Sequence, residues 1–188
     1  VLSKPLIPIN GKTVIEHIID SFLNYGSKIF YISLNYKSKI LKSFFEELNP
    51  DYKVSYLQEN KPLGTAGSLF KLKSKIKSPF FLTNSDIVLD IDFWDLYNFH
   101  KHNRSDITIV VAAKEFQVPY GVCELNTKGE LKKINEKPKF DFFTNTGVYL
   151  INENIINLLE KNNKTDMDQL IKIAKKNKKK IKINPVSD

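Results

Sequence analysis

A glycine-bearing turn followed by a short apolar strand that ends in a carboxylate is the feature that most constrains this chain. The turn is Leu63-Gly64-Thr65-Ala66-Gly67-Ser68-Leu69, and the strand segment runs Phe80-Phe81-Leu82-Thr83-Asn84-Ser85-Asp86. In an open α/β sheet, ligands bind in the crevice outside the carboxyl ends of the strands. A carboxylate placed there can hold Mg²⁺ together with phosphate oxygens. The pattern therefore predicts a nucleotide or phosphate site with a metal at Asp86.

Hydrophobic periodicity alternates between strand and helix over the first two-thirds of the chain. Thr13 and Glu16 form a capping-box pattern at the start of a helix that Gly26 would end. The spacing predicts strands over 28–34, 53–57, 80–83 and 107–113, and helices over 38–48, 65–72 and 93–102. This alternation predicts a Rossmann-like, mainly parallel sheet with helices on both faces.

The pattern changes after residue 113. A hairpin is expected around the turn Asn126-Thr127-Lys128-Gly129, followed by a strand over 146–151, helices over 153–161 and 166–177, and a strand over 180–183. No Gly/Ser-rich linker interrupts the chain. We expect one continuous domain over residues 1–188, with a smaller β-rich second part.

Composition argues against several classes of function. The net charge of +8 could indicate nucleic-acid binding, but the cations are nearly all lysine and Arg104 is the only arginine, whereas arginine usually reads phosphate and guanine. No run approaches about 18 uninterrupted apolar residues, so no membrane span is expected. The single cysteine, Cys123, fits a reducing, cytoplasmic location, and we expect it to pack as a small apolar residue in a strand. The three histidines, His17, His100 and His102, show no zinc-site spacing.

Five segments, taken in order, resemble the sugar-phosphate nucleotidylyltransferase family. They are Lys4-Pro5-Leu6-Ile7-Pro8-Ile9, Gln58-Glu59 with Leu63-Gly64-Thr65-Ala66-Gly67, Asn84-Ser85-Asp86, Tyr120-Gly121-Val122 with Glu136-Lys137-Pro138, and Asn145-Thr146-Gly147. The resemblance implies transfer of a nucleotidyl group from a nucleoside triphosphate to a sugar 1-phosphate, with release of pyrophosphate. It also implies that the β-rich part binds the sugar.

Two departures from the family pattern lie at the ends of the chain. The family's Gly-rich loop is expected just upstream of Val1, and a second metal-binding aspartate is expected shortly after Pro185-Val186-Ser187-Asp188, so Asp188 is not expected to be that residue. Both ends therefore resemble cut ends of a longer protein, and the chain as given is expected to be catalytically impaired.

The resemblance assigns roles to individual residues. Asp86 would hold Mg²⁺ and Lys4 would neutralise triphosphate charge, while Gln58, Gly64 and Thr65 would contact the nucleotide. Lys137 and Glu136 would hold the sugar phosphate and the sugar hydroxyls. The remaining sugar-side residues are Tyr120, Gly121, Asn145, Thr146 and Gly147.

Each assignment has a simpler structural alternative. Asp86 is also a common helix-cap or turn residue, and lone lysines are mostly surface residues. Gly64 also suits a plain turn, and Thr65 also suits a cap of the next helix. Tyr120 follows Pro119, and a loop-to-strand junction would also explain this Pro-Tyr-Gly run.

The leading hypothesis is an enzyme that makes a nucleotide sugar. The second hypothesis is a non-catalytic nucleotide-sugar binding or regulatory domain. The third is a lysine-rich nucleic-acid binder. Residues Val1 to Ile9 are similar to those of guanylyl-transferring members, but thymidylyl, uridylyl and cytidylyl enzymes share these motifs. The base, the sugar and the formation of a homo-oligomer stay open.

Overall fold

The computed structural model describes residues 3–34 and 39–186. The helices are α1 Val14–Leu23, α2 Lys39–Leu48, α3 Gly64–Gly67, α4 Phe93–His102 and α5 Met167–Lys176, with 3₁₀ helices at Lys4–Leu6, Ser68–Leu72 and Glu153–Leu158. The strands are β1 Pro8–Ile9, β2 Lys12–Thr13, β3 Ile29–Leu34, β4 Lys53–Gln58, β5 Phe80–Thr83, β6 Ile107–Gln117, β7 Val122–Leu125, β8 Leu131–Asn135, β9 Lys139–Ile151 and β10 Ile181–Val186. The expected start of α2 at residue 38, and Asp188, lie outside the described residues.

The described strands form four hydrogen-bonded sheets, of which two make the body of the molecule. One has the order β10-β6-β9-β5, and the other pairs β3 with β4 in parallel. In the larger sheet β10 runs parallel to β6, but β9 is antiparallel to both of its neighbours. Antiparallel neighbours need no crossover helix, and the chain between β6 and β9 contains only the β7–β8 hairpin. The α/β class is confirmed, and the sheet is mixed.

Helices cover both faces of these strands, as expected. Tyr31 of β3 and Leu82 of β5 pack against one buried cluster, which includes Leu170 of α5. Phe30 and Phe81, the adjacent residues on the same two strands, pack against a second cluster, which includes Ile18 of α1. Since successive strand residues point to opposite faces, β3 and β5 lie in one layer between two helical layers.

Several elements differ in type or length from those predicted from the sequence. The segment expected as a helix over 65–72 is the short helix α3 followed by a 3₁₀ helix, and the segment expected as a helix over 153–161 is also 3₁₀. Strands β6 and β9 extend well beyond the expected ranges, because their outer halves pair with each other from Ala113 with Phe143 to Gln117 with Lys139. Periodicity within one segment carries no information about such a distant partner.

The β7–β8 hairpin forms as expected, but the placement of Cys123 was wrong. The side chain of Asn126 accepts hydrogen bonds from the main-chain N–H groups of Lys128 and Glu130, which fixes the turn. Cys123 does lie on a strand, β7, yet it is exposed rather than packed. The reason is that β7 and β8 form a two-stranded sheet that pairs with no other strand in the described part of the chain. Across residues 3–34 and 39–186, every helix is too short or too polar to span a bilayer.

Candidate active site

Lys4 and Asp86 lie next to each other, although 82 positions separate them in the sequence. Asp86 follows β5 at its carboxyl end, and its Oδ2 lies 3.7 Å from Nζ of Lys4. The two side chains are 80% and 43% exposed, respectively. An ion pair this exposed contributes little to stability, so both charges remain accessible to a ligand. The fold therefore places one cation and one carboxylate where the motifs predicted a phosphate and metal site.

Gly147 supports the turn that carries Asp86. Its carbonyl oxygen accepts a hydrogen bond from the N–H of Asn84, with 3.2 Å between N and O. Its φ is +80°, and a Cβ atom there would lie 2.5 Å from Nδ2 of Asn84 and 2.9 Å from Cδ1 of Ile87. A side chain at position 147 would therefore push on the residues that flank Asp86.

Asn145 and Thr146 fix the backbone around Gly147. Oδ1 of Asn145 accepts a hydrogen bond from the N–H of Gly147 at 2.9 Å, while its Nδ2 donates to the Tyr149 hydroxyl at 2.6 Å. The Thr146 hydroxyl donates to the carbonyl of Val110 at 2.9 Å. The β6–β9 register shifts at this point, between Ile109 and Val111. Both side chains thus hold a β-bulge beside the Asn84–Asp86 turn, and bulges commonly redirect strands next to active sites.

Two lysines that the sequence did not single out converge on Gln58, at the end of β4. Nζ of Lys42 donates to Oε1 of Gln58 at 2.9 Å, and Nζ of Lys71 donates to its main-chain oxygen. The Lys42 ammonium also lies 5.5 Å from the centre of the Tyr56 ring. Burial raises the pKa of the Tyr56 hydroxyl above its ordinary value. Lys42 lies on the amphipathic helix α2 directly after the buried Leu41, and its position in the sequence alone gives no signal of this contact.

Gly64 and Thr65 join α3 to the start of α5. Gly64 has a φ of +77°, and a Cβ atom there would lie 2.6 Å from the carbonyl oxygen of Thr165 and from Oδ1 of Asp166. The N–H of Thr65 donates to Oδ1 of Asp166 at 3.0 Å, and its hydroxyl accepts from the N–H of Met167 at 2.8 Å. The structural alternative for Thr65 was a cap of the next helix. Instead α3 begins one residue earlier, at Gly64, and the Thr65 hydroxyl satisfies a free N–H at the start of α5.

The β7–β8 hairpin brings Gly121 and Glu136 together. A Cβ atom on Gly121 would lie 3.0 Å from Oε2 of Glu136, so the glycine leaves room for this carboxylate. Lys137 has a φ of +44°, which is unusual for a residue with a long side chain, and its carbonyl accepts a hydrogen bond from Gln117. Tyr120 is 74% exposed, with its ring available to a ligand. A strained backbone such as that of Lys137 is found most often at functional sites.

Two of the three histidines hold structure rather than a reaction centre. His100 is buried, and its two ring nitrogens lie 2.7 Å from Oγ1 of Thr108 and 3.0 Å from Oδ1 of Asn152. Burial lowers the pKa of His100 below its ordinary value. The ring of His17 bonds to the carbonyl of Ile9 at 2.8 Å. No group of three or more His, Cys, Asp or Glu side chains within residues 3–34 and 39–186 is arranged to hold a metal ion.

The sequence matches a known protein family over nearly its whole length. Residues 1–184 match the family model described as nucleotidyl transferase. The chain belongs to the nucleotidyl transferase family. The resemblance carried by the five sequence segments is therefore confirmed.

Curated members with similar sequences are mannose-1-phosphate guanylyltransferases. The catalytic subunit beta from Dictyostelium discoideum is 33% identical over 164 residues, which is 84% of this chain and 46% of that protein. The enzyme from Saccharomyces cerevisiae is 30% identical over 167 residues, again 84% of this chain and 46% of that protein. The nucleotidyl transferase chain thus spans about half the length of the curated relatives that it matches.

Solved structures share the fold. HddC from Yersinia pseudotuberculosis matches with a TM-score of 0.73 and 24% identity, covering 99% of this chain and 81% of that one. A putative glucose-1-phosphate thymidylyltransferase from Bacillus anthracis matches with a TM-score of 0.71 and 16% identity, covering 100% and 79%. At these identities the likeness describes the architecture of the nucleotidyl transferase fold alone.

Proposed function

We propose that this nucleotidyl transferase domain transfers a nucleotidyl group from a nucleoside triphosphate to a sugar 1-phosphate, releasing pyrophosphate and forming a nucleotide sugar. The observation that carries the proposal is the Lys4–Asp86 pair at the carboxyl end of β5. A cation and a carboxylate at this place in the sheet suit a bound triphosphate. Membership of the nucleotidyl transferase family supports nucleotidyl transfer as the reaction of that triphosphate.

The reaction is an in-line attack of a sugar-phosphate oxygen on the α-phosphorus. Such transfers need little covalent work from the protein, so positioning and charge neutralisation supply most of the catalysis. Lys4 would neutralise charge on the triphosphate through its exposed ammonium group. Gln58, Gly64 and Thr65 would contact the nucleotide, with Lys42 and Lys71 orienting Gln58.

The Asp86 environment fits Mg²⁺ shared with a substrate. Mg²⁺ is usually held by one or two carboxylates together with waters and substrate phosphates, and a single exposed carboxylate matches that pattern. Asp86 is the residue that would hold the ion, which supplies charge neutralisation on the phosphates when bound.

The acceptor side of the site lies on the β-rich part and the β9 bulge. Lys137 would hold the sugar phosphate as a compact point charge, and Glu136 would accept hydrogen bonds from sugar hydroxyls. Tyr120 and Gly121 would line the sugar face. Asn145, Thr146 and Gly147 would shape the floor between the sugar and the Asp86 turn, because their hydrogen bonds hold the bulge in place.

The first substrate pair to test is GTP with mannose 1-phosphate, since the curated relatives at 30–33% identity are mannose-1-phosphate guanylyltransferases. Pyrophosphate release would be measured for four nucleoside triphosphates against a panel of sugar 1-phosphates, with Mg²⁺ present and Asp86→Asn as the control. Turnover with one pair that is lost in the variant supports the enzyme. Tight nucleotide-sugar binding by the folded protein without turnover supports a binding domain instead.

Formation of a homo-oligomer is part of the proposal. Phe116 and Phe140 are paired across β6 and β9, and Phe142 lies two residues further on the same face. All three side chains are exposed, and contiguous exposed aromatic surface commonly marks a protein contact. Light scattering of the native protein and of Phe142→Ser compares their masses. A monomeric native protein would contradict self-association.

A further inference from the structure

Glu59 is the only buried carboxylate residue within residues 3–34 and 39–186, with 8% of its surface exposed. It follows β4 directly, next to Gln58. The Ser33 hydroxyl donates a hydrogen bond to Oε1 of Glu59, and the main-chain N–H of Leu63 donates to Oε2 at 2.9 Å. Both carboxylate oxygens are therefore occupied inside the protein.

These contacts tie the segment between Glu59 and Gly64 to β3. The N–H of Glu59 donates to the carbonyl of Leu34, the last residue of β3, at 2.7 Å. Four residues later the Glu59 side chain binds the N–H of Leu63, which is itself buried. The carboxylate thus closes a short loop on itself and fastens that loop to the carboxyl end of the neighbouring strand.

The opposite side of the same loop is held by the segment before α5. The carbonyl of Leu63 accepts from the N–H of Thr165 at 2.9 Å, and the Thr165 carbonyl accepts from the N–H groups of Ala66 and Gly67. The loop is therefore clamped between β3 and the start of α5. Two of the proposed nucleotide contacts flank it directly, because Gln58 precedes Glu59 and Gly64 follows Leu63.

We propose that Glu59 is a positioning residue for the nucleotide side of the site. It sets the separation between Gln58 and the Gly64-Thr65 turn by holding the intervening loop through its two hydrogen bonds. It acts through those neighbours and does not touch the reacting atoms. This inference rests on the proposed function, since positioning matters only if these residues contact a nucleotide.

Substitutions of Glu59 can distinguish a positioning role from a role that depends on its negative charge, because of the chemistry of its two donors, the Ser33 hydroxyl and the Leu63 N–H. A glutamine at position 59 can turn its amide oxygen toward the Leu63 N–H and its NH₂ toward Ser33, whose hydroxyl can then accept instead of donate. Glu59→Gln therefore keeps both hydrogen bonds without the charge. Glu59→Ala loses both, and it leaves the Leu63 N–H buried without its acceptor.

The test is steady-state kinetics of the full chain with the active substrate pair, comparing Glu59→Ala, Glu59→Gln and Ser33→Ala. For Glu59→Ala we expect KM for the triphosphate to rise at least about tenfold, because the loop that sets the spacing of the proposed nucleotide contacts loses both of its hydrogen bonds to Glu59. In the same variant we expect kcat, and KM for the sugar phosphate, to stay within about threefold of the wild-type values. We expect the kinetic constants of Glu59→Gln to stay near those of the wild type. Ser33→Ala should raise KM for the triphosphate by an intermediate amount. Glu47→Ala, an exposed carboxylate on α2, is the matched control.

A positioning role and a merely structural role of Glu59 predict different changes in kcat and KM. A merely structural role would reduce the folded fraction, which lowers kcat and leaves KM unchanged. Such a result overturns the inference, as does Glu59→Gln failing as badly as Glu59→Ala, which would indicate a role for charge. If Glu59→Ala does not fold, Ser33→Ala with an unchanged KM overturns it. If the wild type binds triphosphate without turnover, Kd replaces KM in every comparison. A wild-type protein that neither binds nor turns over any of the four triphosphates overturns the proposed function together with the inference.

Discussion

The hydroxyl oxygen of Thr65 lies 2.8 Å from the main-chain nitrogen of Met167 and accepts its hydrogen bond across 102 residues of sequence. This contact joins the glycine-bearing turn after β4 to the first turn of α5. The sequence predicts that this turn contacts the nucleotide, and the structure shows that it packs against the start of α5. Changes in this turn are therefore expected to affect stability as well as catalysis.

Thr65→Val should destabilise the fold by about 1 kcal/mol, because valine keeps the shape but leaves the Met167 N–H without its acceptor. Urea unfolding followed by circular dichroism measures the change. Thr127→Val in the exposed β7–β8 turn is the control for replacing a threonine elsewhere. Equal free energies of unfolding for Thr65→Val and the wild type would contradict the capping role.

Gly64→Ala should destabilise the protein more than Gly129→Ala. Both glycines have nearly the same φ, +77° and +81°, so both substitutions carry the cost of about 1–2 kcal/mol for a left-handed alanine. Only at Gly64 does the new Cβ meet backbone, at 2.6 Å from the Thr165 carbonyl oxygen, while nothing lies within 4 Å at Gly129. We expect a further loss of about 1–3 kcal/mol at Gly64. If the two variants unfold at the same urea concentration, α3 does not pack on the start of α5 as described.

Acid should weaken the fold through His100. Burial lowers the pKa of its ring in the folded protein, so the unfolded chain binds a proton more readily than the folded one. The stability from the neutral ring is present above the unfolded pKa of about 6.5 and is lost as pH falls toward the lower folded value. Urea unfolding of the wild type, His100→Gln and His102→Gln from pH 8 to pH 5 tests this. His100→Gln should show a smaller loss of stability over this range than the wild type, whereas His102→Gln should follow the wild type.

Asp86→Asn should abolish Mg²⁺-dependent turnover while the thermal midpoint of unfolding stays unchanged. The amide cannot supply the negative charge that holds the ion, and the only ion pair seen for this side chain in the described residues is the exposed one with Lys4. Pyrophosphate release and a thermal melt on the same sample measure both effects, with the exposed Asp90→Asn as the control. Full activity of Asp86→Asn would refute the metal role.

Lys137→Ala should mainly weaken the use of the sugar phosphate, raising its KM about tenfold or more, because the ammonium is the proposed partner of that phosphate. Lys133→Ala, which removes an exposed lysine from β8, is the matched control. Initial rates at varied sugar phosphate and varied triphosphate separate the two substrates. A variant in which only the triphosphate KM rises would show that the role is misassigned.

Short-range patterns predicted much of this molecule. The Thr13–Glu16 capping box marks the start of α1, and the Asn126–Gly129 turn forms the β7–β8 hairpin as expected. The motif residues were also recognisable from the sequence, since their types and order match one family. These features depend on neighbours a few residues apart, so the necessary information lies within a single segment.

Other features depend on partners that are distant in sequence. The strand β9 is antiparallel to both neighbours, Thr65 caps α5 rather than α3, and Cys123 is exposed on the β7–β8 hairpin. Each is set by which surfaces meet after the chain has folded. Glu59 is the clearest case, because a glutamate in a sequence is expected at the surface until its two donors, Ser33 and Leu63, are seen to surround it. Local pattern thus determined the family and the residue types of the candidate site, whereas long-range packing determined which of those residues are exposed and which hold the others in place.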